Sequence, residues 1–317
     1  MSVRDPTVRI PARFDSNQSD GRWCVTLCWR TRMVGEKTPL GIDALLPPEM
    51  AVKAERIGAE KAQTGAVRLL ALAVLAGAFI GFGAMASTVA AAGADGAMPY
   101  GIARILAGLA FSLGLILVVV GGAELFTGDN LMVMAWSSGQ IGSGRLVRAW
   151  ALIYAGNFVG AAATAVLVFL SEQHMLGQGS VGLAALAAAH AKASLGFVPA
   201  LVRGVLCNVL VCLAMWLCYS ARSTADKILC IVPPITAFIA AGFEHSVANM
   251  YLLPLGLLIK HFGADQFWRL IGRSTADYPS LTAVSLIDNL VPVTIGNMIG
   301  GGVLVGAVYW FVYLRRR

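Results

Sequence analysis

Long apolar runs separated by short polar stretches dominate the chain. Six of them lie at roughly 66–93, 102–138, 148–171, 197–221, 228–259 and 288–314. As a helix, each is long enough to cross about 30 Å of hydrocarbon. The second and fifth exceed one span, and each carries a polar break. Ahead of them, residues 49–64 (EMAVKAERIGAEKAQT) follow Pro47 and Pro48 and alternate charge with Ala, Val and Ile at helical spacing. This predicts an amphipathic helix, either on the membrane surface or as a solvated lead-in.

The two breaks match. The second run is interrupted at Gly122-Ala123-Glu124-Leu125-Phe126-Thr127-Gly128-Asp129-Asn130. The fifth is interrupted at Gly242-Phe243-Glu244-His245-Ser246-Val247-Ala248-Asn249-Met250. Gly156-Asn157-Phe158-Val159-Gly160 in the third run is answered by Gly296-Asn297-Met298-Ile299-Gly300 in the sixth. Two signatures thus recur in the same order. Three spans per half is an odd number, so the halves enter the membrane from opposite faces. The expected fold is an all-α membrane protein of six transmembrane helices in two inverted three-helix repeats, with helices 2 and 5 interrupted. Broken helix frees backbone N–H and C=O groups that lipid cannot pair, so such breaks line a protein or water cavity and point to a transport site. Gly300, Gly301 and Gly302 suit close helix packing.

Composition agrees. The chain is 57% hydrophobic and 13% charged, against about a quarter charged in soluble domains. Its net charge of +7 gathers at span ends and in the N-terminal tail rather than on a soluble face, which argues for membrane orientation and against nucleic acid. Arg145, Arg148, Arg222, Lys227, the tail and Arg315–Arg317 fall on one side of a six-pass chain, placing both termini in the cytoplasm of a plasma (inner) membrane protein. Three segments follow: 1–40, a disordered or dispensable extension whose residues 1–32 read as upstream sequence without a signal peptide; 41–65, the amphipathic cytoplasmic helix; and 66–317, the transmembrane channel domain. Of six cysteines, Cys207, Cys212, Cys218 and Cys230 sit in apolar runs, and Cys24 and Cys28 lack partners for a zinc site. No metal, cofactor or disulfide framework is expected.

His245 is the one histidine within a span, and an ionisable group there is a functional candidate by default. Its expected role is hydrogen-bond and proton donor to a passing anion. Thr127, in the other break, is its candidate partner, or bonds back to its own helix. Asn208 either meets the permeant or joins helices, the second being favoured. Glu124 and Glu244 would repel an anion, so each is expected to accept from N–H groups of its broken helix and pin the loop. Lys192 either draws anions to a pore mouth or anchors a span end. Arg203 either snorkels or faces a cleft. Phe111, Leu115, Phe126, Val211 and Phe238 pack helices or form a hydrophobic constriction.

From about residue 40 onwards the chain resembles the formate/nitrite transporter family. The resemblance is carried by GAELFTG at 122–128, KASLGFVPALVRGVLCNVLVCLAMW at 192–216, GFEHSVANMY at 242–251 and NLVPVTIGNMIGG at 289–301. It implies an aquaporin-like fold, a homopentamer with one pore per subunit, and passage of small anions such as formate, nitrite or hydrosulfide. It also implies that His245 is the central histidine, Thr127 the break-loop threonine, Lys192 the vestibule lysine and anion guide, and Asn208 the fourth-helix asparagine. The constriction would set Leu115, Phe111 and Phe126 against Val211 and Phe238. The runs 242–260 and 289–301 lean towards formate, with nitrite or hydrosulfide as the alternative. A neutral-solute pore would want two Asn-Pro-Ala motifs, and a membrane enzyme or redox subunit would want paired histidines in its spans. The sequence has neither, so the expectation is a non-enzymatic anion channel or proton-coupled transporter.

Overall fold

A computed structural model describes residues 44–94 and 97–315. The expected extension 1–40, Cys24 and Cys28 lie outside the described residues. The chain opens with α1, Pro47–Gln63, which starts on a proline pair that suits the first helical turn. Then come α2, Ala66–Ala91, and α3, Tyr100–Gly121. After the first break a 3-10 turn, Gly128–Met132, leads into the short α4, Val133–Ser137. The first half closes with α5, Ser143–Leu170.

The second half repeats this order. Helix α6, Ser180–Ala193, precedes α7, Phe197–Ser220, and α8, Thr224–Ala240. Beyond the second break lies α9, Ser246–Phe262, which turns by 107° into α10, Asp265–Ile271. Helix α11, Ala283–Met298, passes through a π-helical stretch, Ile299–Ala307, into α12, Val308–Tyr313. Together these three form one 31-residue helix.

Among the described residues, five helices are long and apolar enough to cross a membrane: α2, α3, α5, α7 and the continuous Ala283–Tyr313. The remaining expected run is divided between α8 and α9, of 17 residues each. The chain is a multi-pass membrane protein of helices. The stretch between the third and fourth apolar runs holds α6, an Ala-rich helix too short to span.

Direction fixes the inversion. Lys53 of α1 donates to the carbonyl of Tyr219 at the end of α7 (2.8 Å). Trp310 of α12 donates to Ser138 (3.0 Å), and Trp216 stacks on Tyr309 at 4.0 Å. So α1, the α4–α5 turn and the ends of α7 and α12 share one face, the α1 face. Helix α2 runs away from that face, and its counterpart α7 runs towards it. On the opposite face, named here for α6, Lys260 donates to Tyr278 and Leu281 (2.8 and 2.9 Å).

The two long seams, α2 on α5 and α7 on α11, are built alike. A Cβ placed on Gly160 would overlap the carbonyl oxygen of Val74, and one on Gly300 would overlap that of Val205. Without a hydrophobic drive between helices in lipid, such backbone approach supplies the packing energy. Gly160→Val and Gly300→Val are each expected to cost about 1–3 kcal/mol or more through overpacking, read as a lowered melting temperature of the purified protein. Gly144→Ala, in the first turn of α5 with open space around it, is expected to leave the melting temperature unchanged or raised.

Candidate functional site

Both breaks begin with a glycine in a conformation that other L-residues strain to adopt: Gly122 at φ +74° and Gly242 at φ +71°. Each stops its helix inside the protein and releases backbone groups that need partners.

Two buried asparagines supply those partners. In the first half, Asn157 of α5 accepts from the Phe126 N–H (2.9 Å) and donates to the carbonyls of Glu124 (2.9 Å) and Ala73 (2.7 Å). In the second half, Asn297 of α11 accepts from the Ser246 N–H (2.9 Å) and donates to the carbonyls of Glu244 (3.0 Å) and Gly204 (2.8 Å). One primary amide, with an acceptor and two donors, thus ties each break to the neighbouring spans. The Glu124 and Glu244 N–H groups go to the carbonyls of Leu72 and Arg203 (3.2 and 3.3 Å). The repeated Gly-Asn-x-x-Gly signature held this information, but its role shows only once the loop opposite is known.

The glutamates do something other than expected. Their carboxylates do not take the N–H groups of the broken helices. Glu124 meets the Lys61 ammonium of α1 (2.5 Å), which also holds Asp129 (2.5 Å). Burial alone would lower the Lys61 titration, but Asp129 and Glu124 overcome it and raise it above the usual lysine range. Glu244 takes Lys192 of α6 on both oxygens (3.0 Å each) and the Asn249 amide (2.7 Å). Asn249 also bonds Asn289 (2.7 Å), which donates to the Lys192 carbonyl (3.1 Å). A lysine from the helix preceding each half therefore closes on the glutamate of that half's break. The Lys192 ammonium is bound to Glu244 rather than standing as an isolated charge at a mouth.

Where the breaks meet, His245 caps α9: its Nδ1 accepts the Ala248 N–H (3.0 Å). Because Nδ1 accepts, the proton of the neutral ring sits on Nε2. That nitrogen lies 2.9 Å from Thr127 Oγ1 and donates to it. A second proton on Nδ1 would displace the cap, so this geometry holds His245 as a neutral donor. Asn208 donates to the carbonyls of Thr127 (3.2 Å) and Asn297 (2.7 Å), and the Cys212 thiol also donates to Thr127 (3.3 Å). Asn208 is thus a tie between the first break and the last span.

Two cavities approach this pair. One, about 230 Å³ on the α1 side, is lined by Lys53, Lys61, Lys227, Glu124, Asp129 and Val118, among others. The other, about 290 Å³ on the α6 side, reaches Phe111, Phe238 and His245 and carries Lys192, Glu244, Arg104 and Arg203. Phe111 meets Phe238 edge to face at 5.5 Å, and Phe238 stacks on the imidazole at 5.9 Å. Leu115, Thr127 and Val211 line neither cavity and are buried. Phe126 turns towards Trp150 and Tyr154, at 6.2 and 5.0 Å. Val118 to Phe111 is seven residues of α3, so a neck about 10 Å long separates the cavities. Arg203 faces the cleft, and Arg104 is a cavity residue that sequence reasoning missed.

Removing either clamp tests the site's foundation. Asn157→Ala and Asn297→Ala each leave two buried loop backbone groups unpaired, since the Ala73 and Gly204 carbonyls keep their own helical bonds. Each is expected to cost about 3 kcal/mol or more, read as a fall in melting temperature and in the yield of folded protein. Lys61→Met, which strands two carboxylates, is expected to cost about 3–5 kcal/mol. Adding Asp129→Asn to Lys61→Met should recover part of that loss.

The family model for the formate/nitrite transporter matches residues 48–311. The formate channel FocA of Escherichia coli K12 is 45% identical over 274 residues, 86% of this chain and 96% of that protein. The formate channel BtFdhC of Bacillus thuringiensis is 32% identical over 276 residues, 85% and 96% of the respective chains. A solved pentameric formate channel with formate bound superposes with a TM-score of 0.75 at 43% identity, covering 79% of this chain and 98% of that one. With its inverted halves, paired breaks and buried clamps, the chain belongs to the formate/nitrite transporter family.

Proposed function

We propose that the chain passes formate across the membrane, through one passage per subunit of a homopentamer, with both termini in the cytoplasm of a plasma (inner) membrane. The observation that carries this reading is the His245–Thr127 donor pair, set in a dry neck between two cavities rich in cations. The similarity to formate channels supports formate over nitrite or hydrosulfide. The gathering of Lys53, Arg145, Arg148, Arg222 and Lys227 around the α1 face supports the orientation.

A bare anion in a dry neck costs several kcal/mol. The neck, formed by Phe111 and Phe238 on one side of the histidine and by Leu115 and Val211 beyond it, strips water. Thr127 and His245 replace that water. As the anion arrives, its oxygen takes the Nε2–H that Thr127 held, while the threonine hydroxyl turns to donate as well. A carboxylate thus finds two donors without a fixed positive charge that would trap it. Giving the Nε2 proton away outright would leave an imidazolate. Net proton carriage therefore requires Nδ1 to be protonated first, with loss of the Ala248 cap. Proton-linked passage then grows in acid, as the fraction of neutral formic acid also does.

Radiolabelled formate uptake into proteoliposomes tests this. Saturable uptake that rises when the outside is acidified and yields only weakly to nitrite is the expected result. Uptake of nitrite or hydrosulfide without formate would overturn the substrate. His245→Asn keeps a cap acceptor for the Ala248 N–H but removes the donor, and Thr127→Val removes the hydroxyl. Each is expected to slow uptake by about ten-fold or more, the worth of a hydrogen bond to a charged group. His245→Asn should also abolish formate-linked proton movement.

A further inference from the structure

The α6-side cavity needs a net positive charge to gather anions, and Lys192 does not supply it alone. Its ammonium is held by both oxygens of Glu244, so this pair contributes no net charge to the wall. The cations left on that wall are Arg104 of α3 and Arg203 of α7.

Arg104 is the better placed of the two. Its Nη2 donates to the carbonyl of Ile239, in the last turn of α8. That turn ends the helix beside the second break, where the last carbonyls, Ile239 already accepting from the Gly242 N–H (3.1 Å), carry partial negative charge that opposes an anion. The guanidinium covers this end. It lies against the break itself, with Nη2 4.0 Å from where a Cβ on Gly242 would sit. Its Nε–H is buried and has no protein partner. Of five donors in a guanidinium, one is spent on α8, while a buried charged donor beside the cavity stands unfilled. Its fixed positive charge attracts a carboxylate.

We infer that Arg104 is the first docking group for the carboxylate on the α6 side: it binds the incoming anion and hands it towards His245 and Thr127, while Arg203 adds charge to the same wall. This rests on the anion-channel reading above. Arg104 acts before the neck, so its removal changes capture more than passage.

The test is formate uptake from outside by cells producing the full-length chain, with surface protein quantified, at low and high external ionic strength and constant osmolarity. Arg104→Gln is expected to raise KM about three- to five-fold at low ionic strength, the range of one solvent-accessible charge contact. Vmax should change less than KM, and the KM difference should shrink at high salt. Arg104→Lys should restore most of the KM. An unchanged KM in Arg104→Gln overturns the inference. So does Arg104→Lys behaving like Arg104→Gln, since the arginine would then serve only to hold α8. If Arg104→Gln fails to reach the membrane, Arg203→Gln takes its place: a smaller KM rise at low salt supports the shared wall charge, and no rise overturns it. Repeating the series with nitrite reads Arg104 even where formate does not pass, so failure of the substrate and failure of the docking group are separate results.

Discussion

Unpaired backbone inside a membrane is the constraint around which this protein is organised. A helix that stops within hydrocarbon leaves N–H and C=O groups with no water to turn to, at several kcal/mol each. Here helices stop twice between the membrane-crossing segments, at Gly122 and Gly242. Asn157 and Asn297 make the breaks tolerable by spending a whole primary amide on each. Because each amide also holds a neighbouring span, the loops cannot move without disturbing the α2–α5 or α7–α11 seams. Those seams are dense enough that glycines sit against opposing carbonyls. Close packing and loop position are therefore one property.

Rigid loops give the neck its chemistry. The strong charges near it are closed into a triad, Lys61 with Glu124 and Asp129, and a pair, Lys192 with Glu244. What faces the neck is neutral: an imidazole locked by its own helix cap and a hydroxyl. A fixed cation in a dry neck would bind an anion too well to release it, whereas neutral donors stabilise it and let go. Attraction is left to the cavities, where water moderates it.

Much of the architecture was legible in the sequence. Apolar run lengths gave the spans, and the paired Gly-x-Glu and Gly-Asn signatures gave the inverted halves. His245 and Thr127 could be placed together because both sit in breaks. Other features depended on contacts far apart in the chain. Lys61 and Glu124 are 63 positions apart, one on α1 and the other in the first break, and nothing local pairs them, so the glutamates were expected to pin their own loops. Helix α6, SVGLAALAAAHAKA, is too short for a span and too weakly patterned to show a face. Arg104 reads as an ordinary charge near a span end until the end of α8 is seen beside it. The clamp asparagines were visible as a motif, but an amide's role depends on what lies opposite.

The central claim is that His245 is held as a neutral Nε2–H donor by its helix cap. Nitrogen NMR on 15N-histidine protein in lipid bilayers reads it directly, with the His245 signals assigned by their loss in His245→Asn. Only four histidines contribute. The neutral Nε2–H tautomer at pH 7, with the Nε2 signal shifting when formate is added, is the expected result. An imidazolium or an Nδ1–H tautomer at pH 7 would contradict the account.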